Sequence, residues 1–207
     1  ASVMTTPRGV VAPNLPIAPV TWDQRFQDQF ANVLRLYFNQ ISNRINAPTP
    51  HASYFDTTTQ ANPVANAVNL FTYNSVVSDY EVTRGVPTSR IYVSNTGVYN
   101  FQFSAQLDKT GGSASAVYIW PLVNGVNLPD SATKIVIDGP NSEIVAAWNF
   151  VLVLKAGDYF ELAWESSDTN VVIPYVAASG NIPAIPSIIL TVSWVSNYGA
   201  AIYQPAA

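Results

Sequence analysis

Residues 97–107 read GVYNFQFSAQL, and their side chains alternate without a break. On an extended backbone Tyr99, Phe101, Phe103, Ala105 and Leu107 fall on one side, with Asn100, Gln102, Ser104 and Gln106 on the other. A period of two with aromatic and branched residues in one phase predicts a strand with one face in a core. The pattern recurs in Ala146, Trp148, Phe150, Leu152 and Leu154, in Phe160, Leu162 and Trp164, and in Ile188, Leu190, Val192 and Trp194. Strands are expected at 66–72, 76–83, 88–94, 98–108, 115–123, 126–138 with a break, 144–154, 158–165, 171–177 and 187–196. Asn124-Gly125 is a hairpin signal, Lys155-Ala156-Gly157-Asp158 a tight turn, and Asp108–Gly112 a longer loop. Short strands at this spacing predict an all-β antiparallel sandwich over 53–197, with 198–207 as a C-terminal tail.

Two strands carry apolar residues in both phases. Residues 144–154 add Val145, Ala147, Val151 and Val153 to their core set, and residues 115–123 hold Val117, Ile119 and Val123. A sandwich strand needs one apolar face, so a second copy of the chain is the expected cover. Val117, Ile119, Val145, Val151 and Val153 are therefore the expected contacts between copies.

Ahead of the sandwich lies TWDQRFQDQFANVLRLYFNQISNRIN, residues 21–46, which predicts one long amphipathic helix. Thr21 and Gln24 suit a capping box, and Pro48 and Pro50 end the run. Trp22, Phe26, Phe30, Val33, Tyr37, Ile41 and Ile45 recur at helical spacing, with Leu34 and Phe38 widening the stripe. Trp22 and Val33 are eleven residues apart, as are Phe26 and Tyr37, which favours a straight or slightly right-handed bundle of helices. Packing on the chain's own sandwich is the alternative. Residues 1–20 hold Pro7, Pro13, Pro16 and Pro19, the signature of an extended arm. Its apolar residues Val10, Val11, Leu15, Ile17 and Val20 are expected either to dock on a neighbour or to lie along their own domain. Residues 47–52 read as a linker.

Composition removes several classes of function. The chain has no Cys, which excludes disulfide bracing and thiol chemistry. A formal charge of −4 with pI near 4.7 argues against nucleic acid as a partner. Only 11% of residues are charged, against about a quarter in ordinary domains, as suits a protein covered within an assembly. No apolar run reaches the roughly 18 residues of a membrane span, and no basic-then-apolar leader or N-glycosylation sequon occurs.

Candidate chemistry is sparse. His51, the single histidine, falls in the linker, a poor base for a catalytic triad or a metal site. Asp138–Glu143 could offer oxygens to Ca²⁺, but its residues are those of an exposed turn. Glu161 and Glu165 read as solvent-facing on one strand, with Cα atoms roughly 13 Å apart, too far for a glycosidase pair. Trp120, Trp148, Trp164 and Trp194 could line a sugar groove, yet three of them share phases with the core. No catalytic, metal-binding or cofactor-binding residue is expected, and no enzymatic activity.

The run Ile91-x-Val93-x3-Gly97-x-Tyr99-x-Phe101 resembles the strand signature of the C1q/TNF-like jelly-roll family. Leu122-x-Asn124-Gly125 is similar to its central hairpin, Leu152-x-Leu154-x2-Gly157-Asp158-x-Phe160 to its late strand–turn–strand, and Ile189 to Val195 to its closing strand. The match spans roughly 53–197, without a collagen-like stalk. The opening of the helix, Trp22 to Phe30, resembles a segment of small virion proteins of tailed phages, cyanobacterial ones especially. These resemblances imply a homotrimer located in a virion. The expected role is a capsid decoration (cement) protein, with the major capsid protein or another virion protein as partner. A fibre or tail protein recognising host-surface glycan or protein is the alternative. A secreted C1q-like lectin module is disfavoured by the missing leader.

Overall fold

The computed structural model describes residues 13–197; Val10, Val11 and the tail 198–207 lie outside the described residues, as does the side chain of Ile45. The chain divides into two units between Pro48 and Thr49. In the first, α1 spans Gln24–Ile45. Its N-cap is Asp23, in place of the expected Thr21: Asp23 is extended (φ −134°, ψ 118°), and its side chain accepts the Arg25 N–H at 2.8 Å. A carboxylate two residues nearer the apolar stripe satisfies a first-turn amide directly, which leaves Trp22 outside the helix and 79% exposed. Asn46 closes the other end through its backbone N–H to the Ser42 carbonyl.

The second unit holds β1 His51–Asp56, β2 Gln60–Ala61, β3 Asn69–Leu70, β4 Ser75–Tyr80, β5 Val82–Arg84, β6 Ile91–Val93 and β7 Gly97–Lys109. It continues with β8 Ser115–Val123, β9 Val126–Asn127, β10 Thr133–Ile137, β11 Ser142–Leu154, β12 Tyr159–Ser166, β13 Val171–Ile173 and β14 Ile188–Asn197. One sheet runs β4-β1-β14-β7-β11, with β13 and β2 continuing beside the end of β7; the other runs β10-β8-β12-β6-β5. Take β1, β6, β7, β8, β10, β11, β12 and β14 as the principal strands. The first then pairs with the last, the second with the seventh, the third with the sixth and the fourth with the fifth. All these pairs are antiparallel. That nesting is a long hairpin wound around a sandwich, a jelly roll.

Between the sheets the four alternating phases meet. Tyr99, Phe101, Phe103, Ala105 and Leu107 are all buried, as are Phe160, Leu162, Trp164, Ile188, Leu190 and Val192. Phe101 of β7 stacks on Phe160 of β12 at 4.1 Å, joining one sheet to the other. Trp148 and Trp194 pack against this core from its margin. Gly97 faces inward too. Its missing side chain is replaced by the Trp194 ring, since an added Cβ would meet Trp194 Cη2 at 2.2 Å.

Several sequence expectations change. The 66–72 strand shrinks to β3, and the 76–83 strand breaks at Glu81, whose φ is +55°. His51 and Ala52 belong to β1, so the linker is shorter and His51 is a strand residue. The inward phase of β1 is Ala52, Tyr54 and Asp56; the buried Asp56 hides the alternation. Its carboxylate is satisfied by the backbone N–H of Thr58 at 2.7 Å and the Thr72 hydroxyl at 3.3 Å. Val117 and Ile119, expected between copies, are fully buried in the chain's own core. β8 lies inside its sheet, and its outward phase is instead Ala116, Tyr118 and Trp120.

Candidate assembly surface

The register fixes what the outer face of the β4-β1-β14-β7-β11 sheet presents. On β11 the outward residues Val145, Ala147, Asn149, Val151 and Val153 are all exposed, with Val151 at 59%. Across the strands, one row reads Val151, Asn100, Ser193, His51 and Tyr80. The next reads Asn149, Gln102, Thr191, Ser53 and Ser78, and a third Ala147, Ser104, Ile189, Phe55 and Ser75. None of these fifteen residues bears a formal charge at neutral pH. Asn149 donates to Asn100 Oδ1 at 2.8 Å, and the His51 ring stacks on Tyr80 at 6.2 Å, so the amides and rings are held in fixed orientations. His51 Nδ1 lies 2.8 Å from the Thr49 carbonyl. At strand and residue spacings of about 4.8 and 3.4 Å, five strands and nine β11 positions cover roughly 24 by 27 Å. That approaches the ~800 Å² each partner contributes to a standard interface. Depletion of charge is one mark of an interface core, and Tyr80 and Phe55 add the aromatic side chains that such cores favour.

Val145, Val151 and Val153, expected between copies, lie exposed on this outer face. The sequence reading missed the amide and hydroxyl rows of β7, β14 and β1, which emerge only once the register is known.

The helix supplies a second apolar surface. Phe26, Phe30, Val33, Tyr37 and Ile41 are half-buried, together with Leu34, while Phe38 at 60% and Leu36 at 53% stay exposed. Phe26 and Phe30 stack one turn apart at 6.0 Å. Pro13 of the arm shares a hollow of about 170 Å³ with Val33, Leu36, Tyr37 and Gln40, so the arm turns back along α1. Leu15, Ile17 and Val20 remain exposed.

Two charged groups were misread in the sequence. Glu161 is 3% exposed, where a solvent-facing position was expected. Ile91 pairs with Phe160, which brings the residues before β6 alongside Glu161; Ser89 Oγ donates to it at 2.8 Å and Arg90 Nε at 3.4 Å. Lys109, assigned to a loop, is fully buried at the end of β7 and pairs with Asp168. Lys109 Nζ also donates to Ser115 Oγ at 2.8 Å. The Lys109 ammonium, then the Asn170 backbone N–H, hold the Asp168 carboxyl well below the usual carboxylate range. Its odd number was the available signal, because the inward phase of β7 runs unbroken from Tyr99 to Lys109. Among the described residues, no three His, Asp or Glu side chains converge as metal ligands.

No family model and no curated protein matches the chain. Among solved structures it is similar to the globular domain of zebrafish complement 1qA protein, at 15% identity and a TM-score of 0.44, over 73% of this chain and 100% of that one.

Proposed function

We propose that this chain is a non-enzymatic structural protein of a virus particle. It forms a homotrimer through the outer face of the β11-bearing sheet, and its arm and helix fasten it to a shell subunit as a capsid decoration protein. The uncharged carpet from Val151 to Tyr80 carries the reading, because a surface of that composition on a free monomer would invite association. The resemblance of Trp22–Phe30 to phage virion segments supplies the particle. Such a role asks for no chemistry, only an oligomer that fits and an anchor that holds.

Light scattering after size exclusion should give three times the 22.4 kDa of the chain. Asn149→Asp combined with Val151→Asp should release folded monomers, weakening association about a hundredfold or more, since each buried carboxylate forfeits several kcal/mol of hydration. A wild-type monomer at micromolar concentration would overturn the trimer.

Deleting residues 1–20 should leave a folded trimer that no longer binds particles lacking the protein. Three tethered arms act at high effective concentration, so their removal costs more than three separate contacts. Phe30→Ala with Tyr37→Ala tests the helix separately. Undiminished decoration by the arm-deleted trimer would move attachment to the jelly roll. In a virion map, density over the shell supports decoration, whereas density at a single vertex supports a tail or fibre protein.

A further inference from the structure

The outer face of the opposite sheet carries a hollow of about 470 Å³ lined by Trp120, Asn127, Leu128, Asp130, Ser131 and Ala132. Trp120 stands in the outward phase of β8 and is half-exposed, unlike the buried Trp164. Its indole N–H donates to Asn127 Oδ1 at 2.8 Å, which fixes the plane of the ring. The backbone around it is equally set: Leu128 N–H reaches the Pro121 carbonyl at 3.1 Å, and Ser131 Oγ donates to the Leu128 carbonyl at 2.7 Å. Asp130 sits in the left-handed region at φ +56°, exposed, and its carboxylate has no partner among the described residues. The turn conformation is one that Asp adopts readily, and it sets an idle carboxylate in the same hollow as an oriented aromatic plate; that pairing is what points to a ligand.

We infer that this hollow binds a sugar ring, the C–H face of a pyranose lying on Trp120 and two neighbouring hydroxyls donating to Asp130. Other ligands fit less well. A quaternary ammonium wants a cage of several rings, but the nearby Tyr118 already faces the Lys134 ammonium at 5.8 Å. A divalent cation needs several oxygen ligands, and Asp130 is the sole acid in the lining. A flat apolar ligand would leave the carboxylate desolvated and unpaired. A volume of this size accommodates one or two sugar units. The hollow lies on the sheet opposite the assembly face, so three copies per trimer would stay open and sum weak single sites into useful avidity. The single site rests on the hollow alone, and only its avidity rests on the trimer proposed above.

The test is full-length protein on a broad array of immobilised mono- and oligosaccharides, followed by titration of the methyl glycosides of the hits. Wild-type protein should bind a subset of glycans with terminal pyranoses bearing vicinal hydroxyls. Trp120→Ala and Asp130→Ala should each lower that binding about tenfold or more, and Trp120→Tyr should restore part of it. Both positions lie on the outer face, Trp120 half-exposed and Asp130 exposed, so the fold and the trimer mass should hold. Wild-type protein that binds no saccharide on the array, or array binding unmoved by Trp120→Ala, overturns the inference.

Discussion

Gly97→Val should destabilise the jelly roll by about 3 kcal/mol and lower its melting temperature by several degrees or more. No special backbone angle is at stake. The Trp194 ring occupies the place a side chain would take, with Cη2 and Cζ3 at 2.2 and 2.3 Å from an added Cβ and the Ser196 carbonyl oxygen at 2.9 Å. The ring is not free to leave: it stands edge-on to Tyr99 at 5.1 Å, and the Trp194 backbone N–H is bonded to the Pro50 carbonyl. Trp194→Leu alone should also destabilise, by opening a void. Combined with Gly97→Val it should cost less than the sum of the two, and that positive coupling, read from denaturant unfolding, is the diagnostic result. Strict additivity would mean that the two positions do not share the space.

The second large effect belongs to Lys109 and Asp168, and it is asymmetric. Lys109 is wholly buried, while the Asp168 side chain keeps 19% of its exposure. Asp168→Asn strands an ammonium in the interior and should cost about 4 kcal/mol, whereas Lys109→Met leaves a carboxylate at the rim and should cost about half of that. The double substitution should recover much of the loss. The pH dependence follows from the depressed Asp168 pKa. A carboxyl whose folded pKa lies below its unfolded value contributes fully above the unfolded value, about 3.9, and loses that contribution as pH falls further. Acid unfolding followed from pH 6 to pH 2 should therefore be shallower in Asp168→Asn than in wild type. Identical acid limbs would remove the pair from the account of stability. Gly112 is bound to the same site, since its φ of +81° and a Cβ 2.9 Å from Asp168 Oδ2 leave no room for a side chain.

What the sequence disclosed and what it hid follow one physical line. Strands such as β7, β12 and β14 were legible because their apolar and polar phases differ strongly, as in the alternation from Tyr99 to Leu107. β8 was not: Val117, Tyr118, Ile119 and Trp120 are all apolar in character, so a period of two has no amplitude from which to choose a phase, and Val117 and Ile119 were sent outward. Glu161 was misplaced because its cover comes from Ser89 and Arg90, about seventy residues earlier. Of the assembly face, the valines of β11 could be read locally. The Asn, Gln, Ser and Thr rows could not, since only a register of four strand pairs brings them together. The Trp120 hollow was legible in part, as the one tryptophan of four not assigned to a core phase; Asp130 gave no signal, because its unusual backbone is a property of the turn.

The nesting of first strand with last has a consequence for synthesis. β14 lies between β1 and β7, so the sheet that carries the candidate assembly face has a gap at its middle until residue 197 has left the ribosome. At roughly 5–20 residues per second, about seven to thirty seconds separate the emergence of β1 from that of β14. Throughout that interval α1 is already outside with its aromatic stripe unspent, while β1 and β7 wait with open edges. Nascent chains on one polysome can then meet helix to helix before any of them has a finished sheet, and in the trimer proposed above the partners would then be siblings of a single message.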